Sequence, residues 1–265
     1  MAQPRVLILR APGTNCDEET AFAFQRAGAL AERLHVKGLL ESPFRLRDFQ
    51  ILCIPGGFSY GDDIAAGRIL ANQIRHHLAE WLREFHAAGK LILGVCNGFQ
   101  ILLKSGVLLP LAADFSAPAT LAWNASGKFE DRWVPLHTTG GKSVFFAGID
   151  AMYLPVAHAE GKFVPRDEHV LAELVESGRV ILRYGSRPPD GSGISLAPQV
   201  AYPDNPNGSL GDVAGVCDAS GRVCGLMPHP ERHIDPTQHP RWTREPARAV
   251  GDGLRVFQNA VGYFA

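Results

Sequence analysis

Cys96 lies at the centre of a Gly-x-Cys-x-Gly pentapeptide that separates an apolar run from a segment with helical spacing. Gly94 and Gly98 are typical of a sharp, strained turn from strand to helix, because larger side chains there would collide. Such an elbow holds a nucleophile above the C-terminal edge of a parallel sheet, and the positive end of the following helix favours a thiolate. The pentapeptide alone leaves two interpretations open: a catalytic thiol, and a small buried cysteine in a glycine-rich turn.

A second set of candidate catalytic residues lies near the end of the chain. Two apolar runs, residues 213–216 and 222–227, flank an Asp-Ala-Ser-Gly sequence, which predicts a β-hairpin. The second run leads into His229, whose flanking prolines stiffen the backbone where the strand ends. Glu231 follows two residues later, close enough to hold one imidazole nitrogen while the other faces outward. With Cys96, these residues would form a cysteine version of the nucleophilic triad.

The strands and helices that must position these residues alternate along the chain, as they do in proteins with a parallel sheet. Strands are predicted over residues 5–9, 32–36, 50–54 and 91–95. Helices are predicted over residues 17–27 and 64–88, and a third helix begins after Cys96. After residue 115 the pattern changes to short β-rich runs and hairpins, and a last helix is predicted over 252–263. We expect an α/β fold with a doubly wound, mostly parallel sheet and an added antiparallel second half, in one domain spanning 1–265.

The composition argues against several classes of function. A formal net charge of −1, 46% hydrophobic residues and no long run of like charges argue against binding to nucleic acid or to a membrane surface. No apolar run approaches membrane-spanning length, and we expect no signal peptide before the first strand. The five cysteines, an odd number without Cys-x-x-Cys spacing, are typical of a reducing cytoplasm rather than of a disulfide framework. We therefore expect a cytoplasmic protein.

The motifs resemble those of the class I, or triad-type, glutamine amidotransferases, whose fold is flavodoxin-like. The elbow around Cys96 and the Pro-His-Pro-Glu segment ending at Glu231 mark this superfamily. The closer similarity is to the glutaminase subunits of phosphoribosylformylglycinamidine synthase. That similarity rests on Pro-Gly-Gly-Phe-Ser-Tyr-Gly-Asp and Ala-His-Ala-Glu-Gly, with support from segments near both ends of the chain, at residues 55–62, 157–161, 12–17 and 253–258.

The resemblance implies that a cysteine thiol attacks the side-chain amide of L-glutamine and forms a γ-glutamyl thioester as ammonia leaves. The family's catalytic and substrate-binding residues correspond here to Cys96, His229 and Glu231, and to Gly57, Asn97 and Gln100. In this interpretation the backbone N–H groups of Gly57 and Asn97 hold the oxyanion, and Gln100 helps to hold the glutamine head group. The segment 158–161 resembles another side of the glutamine pocket or part of the partner interface, and both interpretations stay open.

The resemblance also implies partners. Ammonia would pass to a large synthase subunit that uses ATP and Mg²⁺ to make formylglycinamidine ribonucleotide from formylglycinamide ribonucleotide in de novo purine synthesis. A small accessory subunit would complete the complex. No cofactor is expected on this chain, since Gly141-Lys142-Ser143 has Leu136 where a phosphate-binding loop needs its leading glycine. No metal site is expected, because Pro230 disfavours a zinc-binding helix that would carry His229 and His233.

Other functions remain open at this point. A cysteine-elbow α/β-hydrolase is one, although in that fold the acid precedes the histidine by a loop's length, whereas Glu231 follows it. A glutaminase of another ammonia-dependent synthase is a second, and a non-catalytic subunit is a third, against which the intact Cys96 and His229 argue. Cys16 is a weak rival nucleophile with no histidine near it in sequence. Residues 233–250 form a Pro- and Arg-containing insert that departs from the shorter family members.

Overall fold

The structure is a computed structural model that describes residues 3–139, 141–185, 200–244 and 248–265. Its strands, numbered in chain order, are β1 (Arg5–Arg10), β2 (Leu30–His35), β3 (Ile51–Ile54), β4 (Leu91–Val95), β5 (Ala119–Ala122), β6 (Glu130–Thr138), β7 (Ala151–His158), β8 (Lys162–Pro165), β9 (Val180–Tyr184), β10 (Val213–Cys217) and β11 (Val223–Leu226). Its α-helices are α1 (Asp17–Arg26), α2 (Val36–Glu41), α3 (Arg68–Gln73), α4 (Ala79–Ala87), α5 (Asn97–Ser105), α6 (Glu168–Glu176) and α7 (Leu254–Gly262). Nowhere in the described ranges does a helix have the length and apolarity needed to cross a bilayer.

Nine of these strands form one sheet in the order β2-β1-β3-β4-β11-β10-β9-β6-β7. The neighbouring pairs β2-β1, β1-β3, β3-β4 and β4-β11 are parallel. The pairs β11-β10, β10-β9, β9-β6 and β6-β7 are antiparallel. Strands β5 and β8 pair antiparallel as a separate ribbon. The predicted α/β fold, with a parallel first half and an antiparallel second half, is therefore confirmed, and the sheet as a whole is mixed.

The centre of the sheet is its most buried part. Every residue of β3, β4 and β11 is buried, and such continuous apolar strands are typical of parallel strands covered on both faces by helices. Helix α5 packs so closely on the sheet that a Cβ added to Gly225 would lie 2.2 Å from the ring of Phe99. The last residues of β4 and β11, Val95 and Leu226, are paired. The segments that follow these two strands therefore leave the sheet side by side, where ligands of such folds bind.

The predicted helix over residues 64–88 differs most from the structure. The chain is helical only from Arg68, because Gly67 adopts a left-handed conformation with φ of +72°. The helix then changes to a π-helical turn over Ile74–Leu78 before α4 begins. No local signal for this π turn is apparent in the sequence, since its residues continue the apolar spacing of an ordinary helix.

The remaining differences concern strand ends and short helices. Strand β2 lies earlier than the predicted strand 32–36, because Val36 already begins α2 and His35 caps that helix. Helix α2 is too short to give a periodic pattern. Helix α6 is not among the predicted helices, although Asp167, which accepts a hydrogen bond from the N–H of Val170, is an N-cap signal in the sequence. The predicted hairpin and closing helix are confirmed as β10–β11 and α7.

Candidate functional site

Cys96 occupies a strained elbow between β4 and α5. Its backbone has φ of +51° and ψ of −105°, a conformation that L-residues rarely adopt. A Cβ on Gly94 would lie 2.6 Å from the carbonyl oxygen of Gly98, and a Cβ on Gly98 would lie 1.8 Å from that of Ile54. Both glycines are therefore required for the turn, as the pentapeptide predicts, and the thiol is held at the N-terminus of α5.

His229 and Glu231 lie beyond the end of β11, next to the elbow. The backbone N–H of His229 donates to the carbonyl oxygen of Pro155 in β7 at 2.9 Å, which fixes the chain where it leaves the sheet. Pro230 begins a single 3₁₀ turn that brings Glu231 back to the imidazole. His229 Nδ1 and Glu231 Oε1 are 2.6 Å apart, and each residue is only 1% exposed. The predicted imidazole–carboxylate pair is therefore present.

The charges around His229 favour its protonated form. Burial alone would lower the pKa of His229, but the negative charges of Glu231 and of a Cys96 thiolate outweigh it and raise the pKa well above its ordinary value. The other ring nitrogen, Nε2, has no hydrogen-bond partner in the described part of the chain. The arrangement therefore suits a protonated His229 beside Cys96, with Nε2 free to exchange a proton with a reacting group.

A second thiol, Cys16, lies beside the same imidazole, which the sequence did not indicate. A Cβ added to Gly56 would lie 2.7 Å from the His229 ring, 3.1 Å from the Cys16 sulfur and 3.4 Å from Cys96 Cβ. Arg232 Nη2 donates a hydrogen bond to the Cys16 sulfur at 3.2 Å. Burial nevertheless raises the pKa of Cys16 to about 11, so this thiol stays protonated at neutral pH.

A cavity of about 270 Å³ opens in front of the elbow. Its walls come from the loop after β3, from the start of α5 and from the segment around the end of β7. The lining residues are Gly57, Phe58, Gly61, Asp62, Ala66, Cys96, Gln100, Trp123, Ala157, His158, Ala159 and Glu160. The cavity is large enough for a small amino acid and brings Cys96, Gly57 and Gln100 to one surface.

Gly57 has no room for a side chain. Its φ of +135° is open to glycine alone, and a Cβ there would lie 2.7 Å from the backbone nitrogen of Asn15. An isolated β-bridge joins Gly57 to Thr14, and the N–H of Phe58 donates to the carbonyl oxygen of Gly13 at 3.0 Å. The loop after β1 therefore fixes the backbone of Gly57 at the edge of the cavity.

Asn97 and Gln100 differ in position. The side chain of Asn97 lies inside the wall, where its amide nitrogen donates to Gln100 Oε1 at 2.9 Å and its oxygen accepts from the N–H of Ser59 at 3.2 Å. Gln100 reaches the cavity, and its Nε2 donates to the backbone carbonyl of Glu160 at 2.6 Å. Of these two residues, only Gln100 can present its side chain to a ligand, and Asn97 can contribute its backbone N–H.

Residues 158–160 of the segment 158–161 line the cavity, and Asn124 holds the segment in place. His158 Nδ1 lies 3.1 Å from Asn124 Oδ1, and burial lowers the pKa of His158 to about 3. Asp62 and Glu160 also reach the cavity. The sequence analysis gives Asp62 no role of its own and places Glu160 in the segment expected at the pocket or at the partner interface. The fold thus places the 158–161 segment at the pocket.

One cluster of three described residues contains side chains of the types that bind metal ions. The ligand atoms of Cys16, His229 and Glu231 all lie within 4.8 Å of one another, and all three residues are buried. His229 and Glu231 are hydrogen-bonded to each other, as the histidine and the acid of a catalytic triad are. The geometry alone does not require an ion there.

Comparisons with known proteins support the same interpretation as the geometry of the site. A family model described as the CobB/CobQ-like glutamine amidotransferase domain matches residues 3–264. The chain belongs to this family. Among curated relatives, it is 47% identical to phosphoribosylformylglycinamidine synthase subunit PurQ of Dehalococcoides mccartyi over 98% of both chains. It is 38% identical to the subunit of the same name from Archaeoglobus fulgidus, over 98% of this chain and 96% of that one.

Solved structures extend this comparison. A chain in the structure of PurLQS from Thermotoga maritima is 30% identical, with a TM-score of 0.72 and full coverage of both chains. The glutaminase domain of CTPS from Trypanosoma brucei, 12% identical with a TM-score of 0.54 over 98% of this chain and 94% of that one, shares the fold. The chain is therefore an enzyme, a glutamine amidotransferase, and the α/β-hydrolase alternative is wrong.

Proposed function

We propose that this glutamine amidotransferase is the glutaminase subunit of a phosphoribosylformylglycinamidine synthase. Amide hydrolysis rests on one observation: the elbow thiol of Cys96 lines a cavity beside the buried His229–Glu231 pair. The choice of synthase is supported by relatives of that name that align over nearly the whole chain. A nine-stranded sheet built from both halves of the sequence supports a single domain over residues 1–265.

In the proposed reaction the Cys96 thiolate attacks the side-chain amide carbon of L-glutamine. His229, protonated at rest, donates its proton to the leaving nitrogen as the carbon–nitrogen bond breaks, so ammonia leaves and a γ-glutamyl thioester remains. Neutral His229 then takes a proton from water, which attacks the thioester and releases glutamate and the thiolate. Glu231 holds the ring through Nδ1 at 2.6 Å and stabilises its charged form throughout.

The negative oxygen formed in each step needs fixed donors, for which we assign the backbone N–H groups of Gly57 and Asn97. Gly57 belongs to a loop whose backbone is held by Thr14, and Asn97 is the first residue of α5, where the helix dipole is positive. The loss of one such donor typically costs about 100- to 1000-fold in rate. Gln100, which reaches the cavity from α5, would hold the glutamine head group.

The ammonia would be used by another chain. We propose that a large synthase subunit carries ATP and Mg²⁺ and converts formylglycinamide ribonucleotide to formylglycinamidine ribonucleotide, with a small accessory subunit in the same cytoplasmic complex. The assembly PurLQS, in which the Thermotoga maritima relative was solved, supports these partners. No cofactor is proposed for the present chain.

The test separates the two halves of the reaction. Cys96→Ala in the assembled complex should abolish synthesis from L-glutamine and leave synthesis from high concentrations of free ammonia largely intact, because the thiol serves only amide cleavage. Product formation is measured with each nitrogen source, and assembly of the variant is checked by gel filtration. Equal loss of both activities in an assembled variant would contradict this division of labour.

A further inference from the structure

The cavity beside Cys96 is lined by two carboxylates, those of Asp62 and Glu160, to which the proposed hydrolysis assigns no role. No lysine or arginine is among the described residues that line it. His158 also lines the cavity, but burial lowers its pKa to about 3, so its ring is uncharged at neutral pH. The cavity is therefore acidic, and its potential favours a ligand group of positive charge.

Glu160 is already compensated by its own surroundings. Its carboxylate lies 3.8 Å from the ammonium of Lys104, and the backbone N–H of Ala66 donates to both of its oxygens at 3.3 and 3.4 Å. Lys104 also donates to the carbonyl oxygen of Ala66. This network ties α5 to the segment before α3 and holds one wall of the cavity, so Glu160 is a structural carboxylate.

Asp62 differs because the charge of Lys104 acts on it only from beyond salt-bridge distance. Its Oδ1 accepts hydrogen bonds from the N–H of Gly67 and from the side-chain amide of Asn97, each at 3.2 Å. Among the described residues, its Oδ2 has no hydrogen-bond partner and no cation at salt-bridge distance. Burial and the charge of Glu160 raise the pKa of Asp62. The residue also has φ of +54°, a strained conformation that persists only where the surroundings impose it.

We infer that Asp62 binds the α-ammonium group of the substrate and so selects an amino acid over a simple amide. The inference rests on the proposed hydrolysis of L-glutamine at Cys96. Asn97 links the two positions, since it directly follows Cys96 and its side-chain amide donates to Asp62. The carboxylate is therefore held next to the wall that carries the nucleophile, and L-glutamine carries its ammonium at the end opposite its amide.

The test compares L-glutamine with 4-carbamoylbutanoate, which has the same amide and carboxylate groups but lacks the α-ammonium. For the unaltered protein in its assembled complex, we expect kcat/KM to be at least about 100-fold higher for L-glutamine. Asp62→Asn keeps an acceptor for Gly67 and Asn97 but removes the charge. We expect KM for L-glutamine to rise about 10- to 100-fold with little change in kcat, and kcat/KM for 4-carbamoylbutanoate to stay within about twofold.

Glu160→Gln is the matched control, because its carboxylate is already paired with Lys104 and the preference for L-glutamine should persist in this variant. An equal loss of kcat/KM for both substrates in Asp62→Asn would make Asp62 a structural residue and overturn the inference. Equal use of both substrates by the unaltered protein would overturn it without any variant. Hydrolysis of neither substrate by the unaltered complex would instead refute the proposed function itself.

Discussion

Cys96 and Cys16 approach the same imidazole, His229, from two different loops. Both are almost completely buried, 5% and 1% exposed, and both thiols contribute to the raised pKa of His229. Cys96 lines the cavity at a strained elbow, whereas Cys16 has an unstrained φ of −96° and receives a hydrogen bond from Arg232. Both thiols therefore lie close to the imidazole, but Cys96 lines the cavity and Cys16 does not.

The two buried histidines near Cys96 differ in the charges that surround them. His229 has Glu231 at 2.6 Å, and negative charges raise its pKa in spite of burial. His158 contacts the neutral side chains of Asn124 and Asn207, so burial dominates and lowers its pKa. The catalytic role of a cysteine or a histidine here thus depends on the charges around its side chain and on the position that its backbone gives it.

The largest effect is expected from the elbow thiol. Cys96→Ser keeps the shape of the turn and replaces the thiolate by a hydroxyl that His229 is not arranged to activate, so glutamine hydrolysis should fall by at least about 1,000-fold. Glutamate release from L-glutamine measures it, with circular dichroism as the check of folding. Substantial residual turnover would mean that Cys96 is not the only nucleophile at this site.

The next effect concerns the carboxylate that distinguishes His229 from His158. Glu231→Gln keeps the hydrogen bond to Nδ1 but removes the charge that raises the pKa of His229, so turnover should fall by at least about 100-fold. Steady-state glutamate release is compared at equal protein concentration and equal melting temperature. Unchanged turnover would reduce Glu231 to a structural residue.

A smaller effect is expected from the loop that faces the elbow. Gly57→Ala places a Cβ 2.7 Å from the backbone nitrogen of Asn15, displaces the proposed oxyanion donor and should lower kcat by about 10- to 100-fold. Gly127→Ala is the matched control, because Gly127 also has positive φ, +65°, but has no atom within 4 Å of an added Cβ. If both variants lost activity equally, backbone strain rather than the oxyanion position would explain the loss.

The uncharged histidine should affect stability rather than rate. Protonation of His158 is disfavoured in the folded protein, where its pKa is about 3, and occurs near 6.5 in the unfolded chain. The stability it contributes is therefore complete above pH 6.5 and is lost as the pH falls towards 3, by about 1.4 kcal/mol per pH unit. Urea unfolding between pH 6.5 and 4.5 should show a shallower decline for His158→Gln than for the unaltered protein. Parallel declines would contradict this account.

The smallest effect is expected from the second thiol. Cys16→Ser preserves the size of the side chain and an acceptor for Arg232, and glutamine turnover should stay within about threefold. A loss as large as that of Cys96→Ser would show that the position of Cys16 beside His229 is catalytic and that the comparison is wrong.

Much of the site could be predicted because its signals are local. The glycines around Cys96 are required by contacts with their own turn and the adjacent strand, and the short Pro-His-Pro-Glu segment contains both His229 and its partner. Apolar runs predict β1, β3, β4 and β11 close to their observed bounds. Each of these features has a signal in residues close together in sequence, even where the contact itself, as between Gly98 and Ile54, is distant in sequence.

The rest could not be predicted because it depends on distant segments. Cys16 meets His229 only when the first loop and the end of the hairpin reach the same edge of the sheet. Positive φ occurs at Tyr60, whose type gives no such signal, and at Asp62, whose type tolerates it without requiring it. The position of the Asp62 carboxylate could therefore not be inferred from the motif. The fold supplies both arrangements.

Covalent labelling tests the central claim most directly. A diazoketone analogue of L-glutamine has its ketone carbon where the amide carbon would lie and its diazo carbon in place of the amide nitrogen. The nucleophile that attacks the amide should displace N₂ from the protonated diazo carbon and so become alkylated. After digestion of the labelled protein, mass spectrometry of the peptides should find one adduct, on Cys96, with Cys16 unmodified and labelling slowed by excess L-glutamine. An adduct on Cys16, or equal labelling of both thiols, would contradict the account.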